Sequence, residues 1–321
     1  MLKPYPMKLR PVLKNALWGG TKLSDDWHKA PVGEPVAESW ELTVREKERN
    51  CIANGETAGR TLNDVLEEMP AWIGSRHCGE RFPLLIKFID AEQTLSVQVH
   101  PDDDYAARVE HDSGKNEMWY IVDAAPDSEI VYGLRDGVSA EDFRLAVSED
   151  RIRDVLRFQR VQAGECYYIP AGLVHAIGAG ILIAEIQQNS DLTYRVYDYD
   201  RLGADGKPRE LHREKACDVV VPMSDGEMAR KRYAVVEEGE SSCLAHSIYF
   251  GVRKCQISAL REVSMHVGEE SFVHLLFLAG DAEIVYADGS ISVARGDSIF
   301  LPAGLGACAV RGEAEWLETR L

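Results

Sequence analysis

The chain has 321 residues, is 45% hydrophobic and 28% charged, and carries a formal charge of −17. That composition belongs to a globular protein long enough for two domains. So acidic a chain excludes a general nucleic-acid or anionic-membrane binder, and an anionic small substrate would need a locally basic pocket.

The N-terminal stretch MLKPYPMKLRPVLKNALWGG has no apolar core and no small-residue cleavage site, so no secretory signal is expected. No apolar run is long enough to span a bilayer. The seven cysteines include no C-x-x-C pair, which points to reduced thiols in a cytoplasmic protein rather than a cysteine zinc site.

Taken in chain order, the first predicted helix is TLNDVLEEMPAWIG, which opens with Thr61 and has Asp64 three residues on, a capping pattern. Strands follow at residues 83–90, 94–100, 117–124 and 128–134, rich in β-branched and aromatic residues and punctuated by Gly, Pro, Asn and Asp. The acidic run PDDDYA after His100 reads as a solvated helix start. A second helix is expected over residues 139–158, beginning at Ser139 with acidic residues in its first turn. Strands return at 165–170 and 181–188. After the polar stretch VPMSDGEMARKR they return again in SFVHLLFLAG, AEIVYADG and ISVARGDSIFLPAG.

The later strands repeat the earlier ones. YIPAGLVHAIG (168–178) and FLPAGLGACAV (300–310) share the lead-in Gly-acidic-x-x-aromatic-[Ile/Leu]-Pro-Ala-Gly-Leu, and each follows its own copy of EIVY. The expected architecture is therefore mainly β: two related jelly-roll β-barrels, with helical insertions in the N-terminal half. The expected units are 1–222 and 223–321.

The first unit carries a chemical constellation. Strand alternation puts Gln98 and His100 of VQVHP on one face. Glu117 opens the next strand, and His175 follows the Pro-Ala-Gly turn. Two imidazoles, a carboxylate and an amide oxygen can hold a divalent ion while leaving room for water or substrate, the pattern of a catalytic rather than a closed structural site. Aligned on the Pro, His175 falls opposite Ala307, so the second unit is expected to lack the ligands and serve as scaffold, with His274 a relic or a core residue.

The segments LSVQVHPDDDYA, GKNEMWYIVDA and IPAGLVHAIGAGILIAEIQQNSDLTYRVYDYDR closely resemble type I mannose-6-phosphate isomerases of the short bacterial form, a family of zinc-dependent cupins; LKNALWGGTKL and ESWELT fit too. The resemblance implies a zinc-dependent aldose–ketose isomerase that interconverts mannose 6-phosphate and fructose 6-phosphate through a cis-enediol. It makes both barrels cupin-type and implies one zinc per chain, held by His100, Glu117 and His175, with Gln98 matching a fourth ligand of longer members. It matches Arg195 to the active-site arginine, places Lys87 and Lys115 in the pocket, and puts Arg201 where longer relatives have lysine. The proton carrier is left open among Glu185, Lys115 and a zinc-bound water. The implied partner is a small sugar phosphate, with no nucleic acid and no membrane. Two other readings stand beside this one. Two His and one carboxylate also form the iron site of non-haem oxygenases, and a non-catalytic sugar-binding cupin would use the same fold.

Overall fold

The computed structural model describes residues 2–203, 206–233, 241–258 and 261–321. The protein is mainly β, with three sheets of nine, seven and five strands. The seven-stranded sheet is the middle layer. Its strands Leu84–Ala91 and Ile181–Gln188 are buried along their whole length, because both faces of this sheet are covered. One face sets Ile86, Phe88, Met118 and Ile186 against Phe272, Leu276 and Phe300 of the nine-stranded sheet. The other sets Ile89, Trp119, Ile121 and Ile183 against Ile130, Tyr132, Leu173 and Ile177 of the five-stranded sheet side. The outer face of the five-stranded sheet, through Val97, Val99, Val131 and Ala176, packs on Phe143, Val147 and Ala216 of the helices Ala140–Ser148 and Arg213–Val219.

Among the described residues none of these sheets closes on itself. The closed barrels expected from sequence are instead open sheets packed face to face, which buries alternating strands just as closure would. In the nine-stranded sheet the long strands Val273–Tyr286 and Gly306–Arg320 fold around their own core of Leu275, Phe277, Ile299, Val310 and Trp316. Gly280 and Gly312 lie on these strands at φ +76° and +124°, and a Cβ on either would meet the partner backbone, Glu313 O at 2.0 Å or Asp281 O at 2.8 Å. Only glycine fits there.

Strand pairing crosses the expected 222/223 boundary in both directions. Met7–Arg10 joins the nine-stranded sheet (Met7 opposite Phe300), and Arg232–Tyr233 joins the seven-stranded one (Cys166 opposite Tyr233). The polar stretch VPMSDGEMARKR holds the helix Asp225–Lys231.

Thr61 Oγ1 accepts from Asp64 N as expected, but the helix Leu62–Glu68 stops before Pro70, and residues Pro70–Ile73 form a 3-10 turn. The helix expected over 139–158 keeps its Ser139/Asp142 capping box yet ends at Ser148. Asp150 takes φ +56°, and Leu156–Arg160 becomes a strand beside Glu129–Leu134. The sheet edge claims the buried Leu156, overriding the helical period of the sequence. PDDDYA does begin a helix, Asp103–Val109, capped by Asp102. No helix among the described residues is long and apolar enough to cross a membrane, and all seven cysteines are free.

The Pro-Ala-Gly turn is built twice. Gly172 and Gly304 both take positive φ (85° and 79°), and their N–H groups donate to His100 O and Gly268 O, each at 2.9 Å. Gly268 and Ala307 thus stand where His100 and His175 stand in the first copy. Ala307 is exposed, and the side chain buried beside it is Cys308. His274 faces away from the second core: it is buried on the side toward the first unit, where its Nε2 bonds Ser298 Oγ at 2.8 Å.

Candidate active site and metal centre

The site lies between the seven- and five-stranded sheets. On the five-stranded sheet, Tyr132, His175, Gln98 and Arg195 are direct Cα partners across four neighbouring strands. Directly opposite residues share a face, so the four side chains form one row. On the facing sheet, Trp40, Lys87, Glu185 and Trp119 form a second row, with Glu117 two residues before Trp119. Polar groups from both sheets therefore meet in one gap.

His100, Glu117 and His175 are fully buried and converge. Their donor atoms are 3.1 Å apart for the two Nε2 atoms, 3.4 Å for His175 Nε2 to Glu117 Oε1, and 3.5 Å for His100 Nε2 to Glu117 Oε2. Each Nδ1 lies against a backbone carbonyl, Leu192 O at 2.7 Å for His100 and Leu173 O at 2.8 Å for His175. Those bonds place the single ring proton on Nδ1 and leave both Nε2 lone pairs bare. Burial holds His175 down to about 4, and burial with the Lys115 charge holds His100 well below its usual value, so neither ring takes up a second proton. Both Glu117 oxygens are buried without a hydrogen bond; Lys115 Nζ, 3.1 Å from Oε2, makes an ion contact without hydrogen-bond geometry. Lys115 offsets only part of the cost of burying two bare imidazole nitrogens and a carboxylate without hydrogen bonds, and a cation joining the three would offset the rest. The residues present therefore fit a metal ion, and no other group of three or more His, Cys, Asp or Glu among the described residues does. Gln98, half-buried, stands between His175 and Arg195 in the row.

Beside this centre runs an array that the sequence reading caught only in part. Lys87 Nζ lies 3.4 Å from both Glu185 Oε1 and Glu38 Oε2. Trp119 Nε1 donates to Glu185 and Trp40 Nε1 to Glu38. Each carboxylate thus holds one indole N–H and shares one ammonium. Burial raises Glu185, reinforced by Glu117. Burial also acts upward on Glu38, but Lys87 and the Trp40 N–H outweigh it and hold Glu38 below its usual range. The two acids raise Lys87 despite its burial. Glu38, Trp40 and Trp119 were not singled out from sequence; ESWELT and the i, i+2 relation of Trp119 to Glu117 were the available signals.

Arg195 donates from Nε to Ser96 Oγ at 3.2 Å and from Nη1 to Glu210 O at 2.9 Å. Asp198, whose charge acts on Arg195, is itself paired with Arg201 and Arg209, and Asp191 is paired with Arg45. Arg201 also donates to Thr94 O. Burial and then Arg209 push Arg195 below its usual value. Arg195, Arg201 and Arg209 give this acidic protein a basic corner.

The description "Phosphomannose isomerase type I, catalytic domain" matches residues 7–143, and "Mannose-6-phosphate isomerase, cupin domain" matches residues 240–320. A mannose-6-phosphate isomerase of Bacillus subtilis is 36% identical over 317 residues, covering 98% of this chain and 99% of that one. The chain belongs to the type I phosphomannose isomerase family. A Streptococcus mutans mannose-6-phosphate isomerase is 33% identical over 97% of the chain and 96% of its own length. The crystal structure of a Bacillus subtilis mannose 6-phosphate isomerase superposes with a TM-score of 0.89 at 34% identity, covering 98% of this chain and 99% of that one. A putative mannosephosphate isomerase from Archaeoglobus fulgidus, at 18% identity and TM-score 0.75, shares the fold. The phosphomannose isomerase matches thus reach both ends of the chain, including residues 240–320, where the described residues hold no group of metal ligands.

Proposed function

We propose that the chain is a zinc-dependent isomerase that interconverts mannose 6-phosphate and fructose 6-phosphate. The observation that carries this reading is the convergence of two bare Nε2 atoms and a buried carboxylate that accepts no hydrogen bond, beside a lysine–glutamate array, in a member of this family. Two imidazole nitrogens and one carboxylate, with donor atoms 3.1, 3.4 and 3.5 Å apart, are a donor set that suits zinc. One zinc per chain would be held by His100, Glu117 and His175, and Gln98 would offer a further oxygen donor.

When bound, the ion supplies positive charge to substrate oxygens that become negative during reaction. The chain's residues do the rest. A base removes the C2 proton of the aldose while O1 gains a proton, giving the cis-enediol. Proton delivery to C1 and loss of the O2 proton then give the ketose. Glu185 and Lys115 are the proton carriers, and burial, reinforced by Glu117, raises Glu185 from the ordinary carboxylate range. Arg195, in the same row as His175, stabilises developing oxygen charge through its fixed guanidinium. Lys87 presents its charge to the substrate from the facing sheet. Arg201, held by Asp198, contributes to phosphate attraction through the field of the basic corner.

In this reading both halves are cupin-type jelly rolls. The chemistry belongs to residues 1–222, residues 223–321 act as scaffold, and the free thiols suit the cytoplasm. The test is a coupled isomerase assay on mannose 6-phosphate with and without chelator, alongside metal analysis. Turnover lost with chelator and restored by zinc is expected. Chelator-insensitive turnover, or oxygen uptake in place of isomerisation, overturns the reading.

A further inference from the structure

The three ligand segments are joined by a closed circuit of hydrogen bonds. Asp103, three residues past His100, accepts at Oδ1 from Gln188 Nε2 (3.1 Å) and Gly114 N (2.9 Å). Gln188 Oε1 accepts from both the backbone N and the side-chain Nδ2 of Asn116, the residue before Glu117, at 2.9 and 2.8 Å. Asn116 Oδ1 accepts from Ala171 N at 3.0 Å, in the turn that leads to His175. Gly172 N then donates to His100 O at 2.9 Å and closes the ring. Asn116 and Gln188 are buried. A Cβ on Gly114 would lie 2.5 Å from the Asp102 carbonyl carbon, so the approach depends on glycine.

One further donor enters this circuit, and it comes from the C-terminal half. Tyr249 OH donates to Asp103 Oδ2 at 3.0 Å. Tyr249 sits in the tight connection between the strands Ser241–His246 and Gly251–Ile257. Ser247 Oγ accepts from the backbone N of Tyr249 and of Phe250, and Phe250 is buried against the Tyr168 side of the main core. Both ends of the contact are thereby fixed. Burial and the Asp103 bond push the phenol up to about 12, so it stays a donor across ordinary pH.

We propose that Tyr249 is a positioning residue through which the C-terminal half sets the metal affinity of a centre it does not itself contribute ligands to. It acts on Asp103, whose bonds to Gln188 and Gly114 fix the segment before Glu117, and through Asn116 the turn before His175. Groups that orient ligands without touching the ion are worth about 10- to 100-fold in affinity. The inference rests on the metal reading above.

The test measures zinc affinity of the full chain by chelator competition, with thermal unfolding as the folding control. Tyr249→Phe is expected to raise the zinc Kd about tenfold with little change in the apo-protein's Tm, and Asn116→Ala by more, with some loss of Tm because Ala171 N is left without its acceptor. The double variant should bind no more weakly than Asn116→Ala alone, because both act on one circuit. Wild-type affinity in Tyr249→Phe overturns the proposal, as does a double variant whose two losses simply multiply. Should Tyr249→Phe fail to fold, Asp103→Asn carries the same expectations. A wild-type chain that takes up no metal would sink the metal reading itself, a result distinct from either of these.

Discussion

His100 and His175 face each other Nε2 to Nε2 at 3.1 Å, and neither atom carries the proton, because each ring donates its Nδ1–H to a backbone carbonyl. Two lone pairs held this close repel. A cation bound between them and Glu117 would relieve that repulsion. Elemental analysis of purified His175→Ala should therefore show loss of most of the metal carried by the wild type. Stoichiometric metal in that variant would remove the assignment.

Arg195 is built for a fixed direction. Ser96 and the Glu210 carbonyl hold two of its nitrogens, and its backbone lies opposite Gln98. Arg195→Ala should keep metal and fold yet lower kcat/KM by ~100-fold, a loss of about 2.7 kcal/mol of transition-state stabilisation. Arg195→Lys should recover only part, since an ammonium lacks the planar fork. Arg201→Ala should act mainly on KM. Steady-state kinetics on metal-loaded variants decide this; unchanged kcat/KM in Arg195→Ala would make it a brace for the 209–212 segment.

What could be read from sequence followed strand alternation. Gln98 and His100 share a face because they are two apart, and the Pro-Ala-Gly lead-in located His175. The array of Glu38, Trp40 and Trp119 escaped because it exists only through register across neighbouring strands, which no local pattern encodes. The same blindness made residues 149–158 look helical, since the edge pairing of Leu156 with Leu134 is non-local. The repeat was legible. The face of its second copy was not: Cys308, not Ala307, turns inward.

A buried ion pair of the N-terminal half reaches the C-terminal half through one hydrogen bond. Lys29 Nζ lies 2.7 Å from Glu41 Oε1, both side chains are nearly inaccessible, and Lys29 also donates to Gly296 O in the C-terminal half. Burial raises Glu41 even with Lys29 and Ser39 holding it down, and its Oε2 has no hydrogen bond. Lys29→Met should destabilise the protein by about 3–5 kcal/mol by stranding a buried carboxylate. Lys29→Met with Glu41→Gln should restore most of that, because the amide oxygen still accepts from Ser39. Urea unfolding of the two variants is the check; a single-variant cost below ~1 kcal/mol would mean that water reaches the pair.

His274 gives the protein an acid-sensitive point outside the active site. Ser298 Oγ spends its proton on Glu41 O, so it must accept from His274 Nε2–H, and Nδ1 is left buried and bare. Protonating Nδ1 would put a charge where nothing accepts from it, with the Lys29 ammonium nearby. Burial, then Lys29, accordingly hold His274 down to about 3. The unfolded chain, with a histidine near 6.5, binds the proton more readily than the folded one throughout the interval between these values. Stability from this residue is thus fully present above about pH 6.5 and is lost as pH falls toward 3, by at most about 1.4 kcal/mol per pH unit. Denaturant unfolding at several pH values between 7 and 4 should show a shallower loss of stability in His274→Asn than in wild type. Parallel curves would mean that a donor satisfies Nδ1 and that the acid sensitivity arises from other groups.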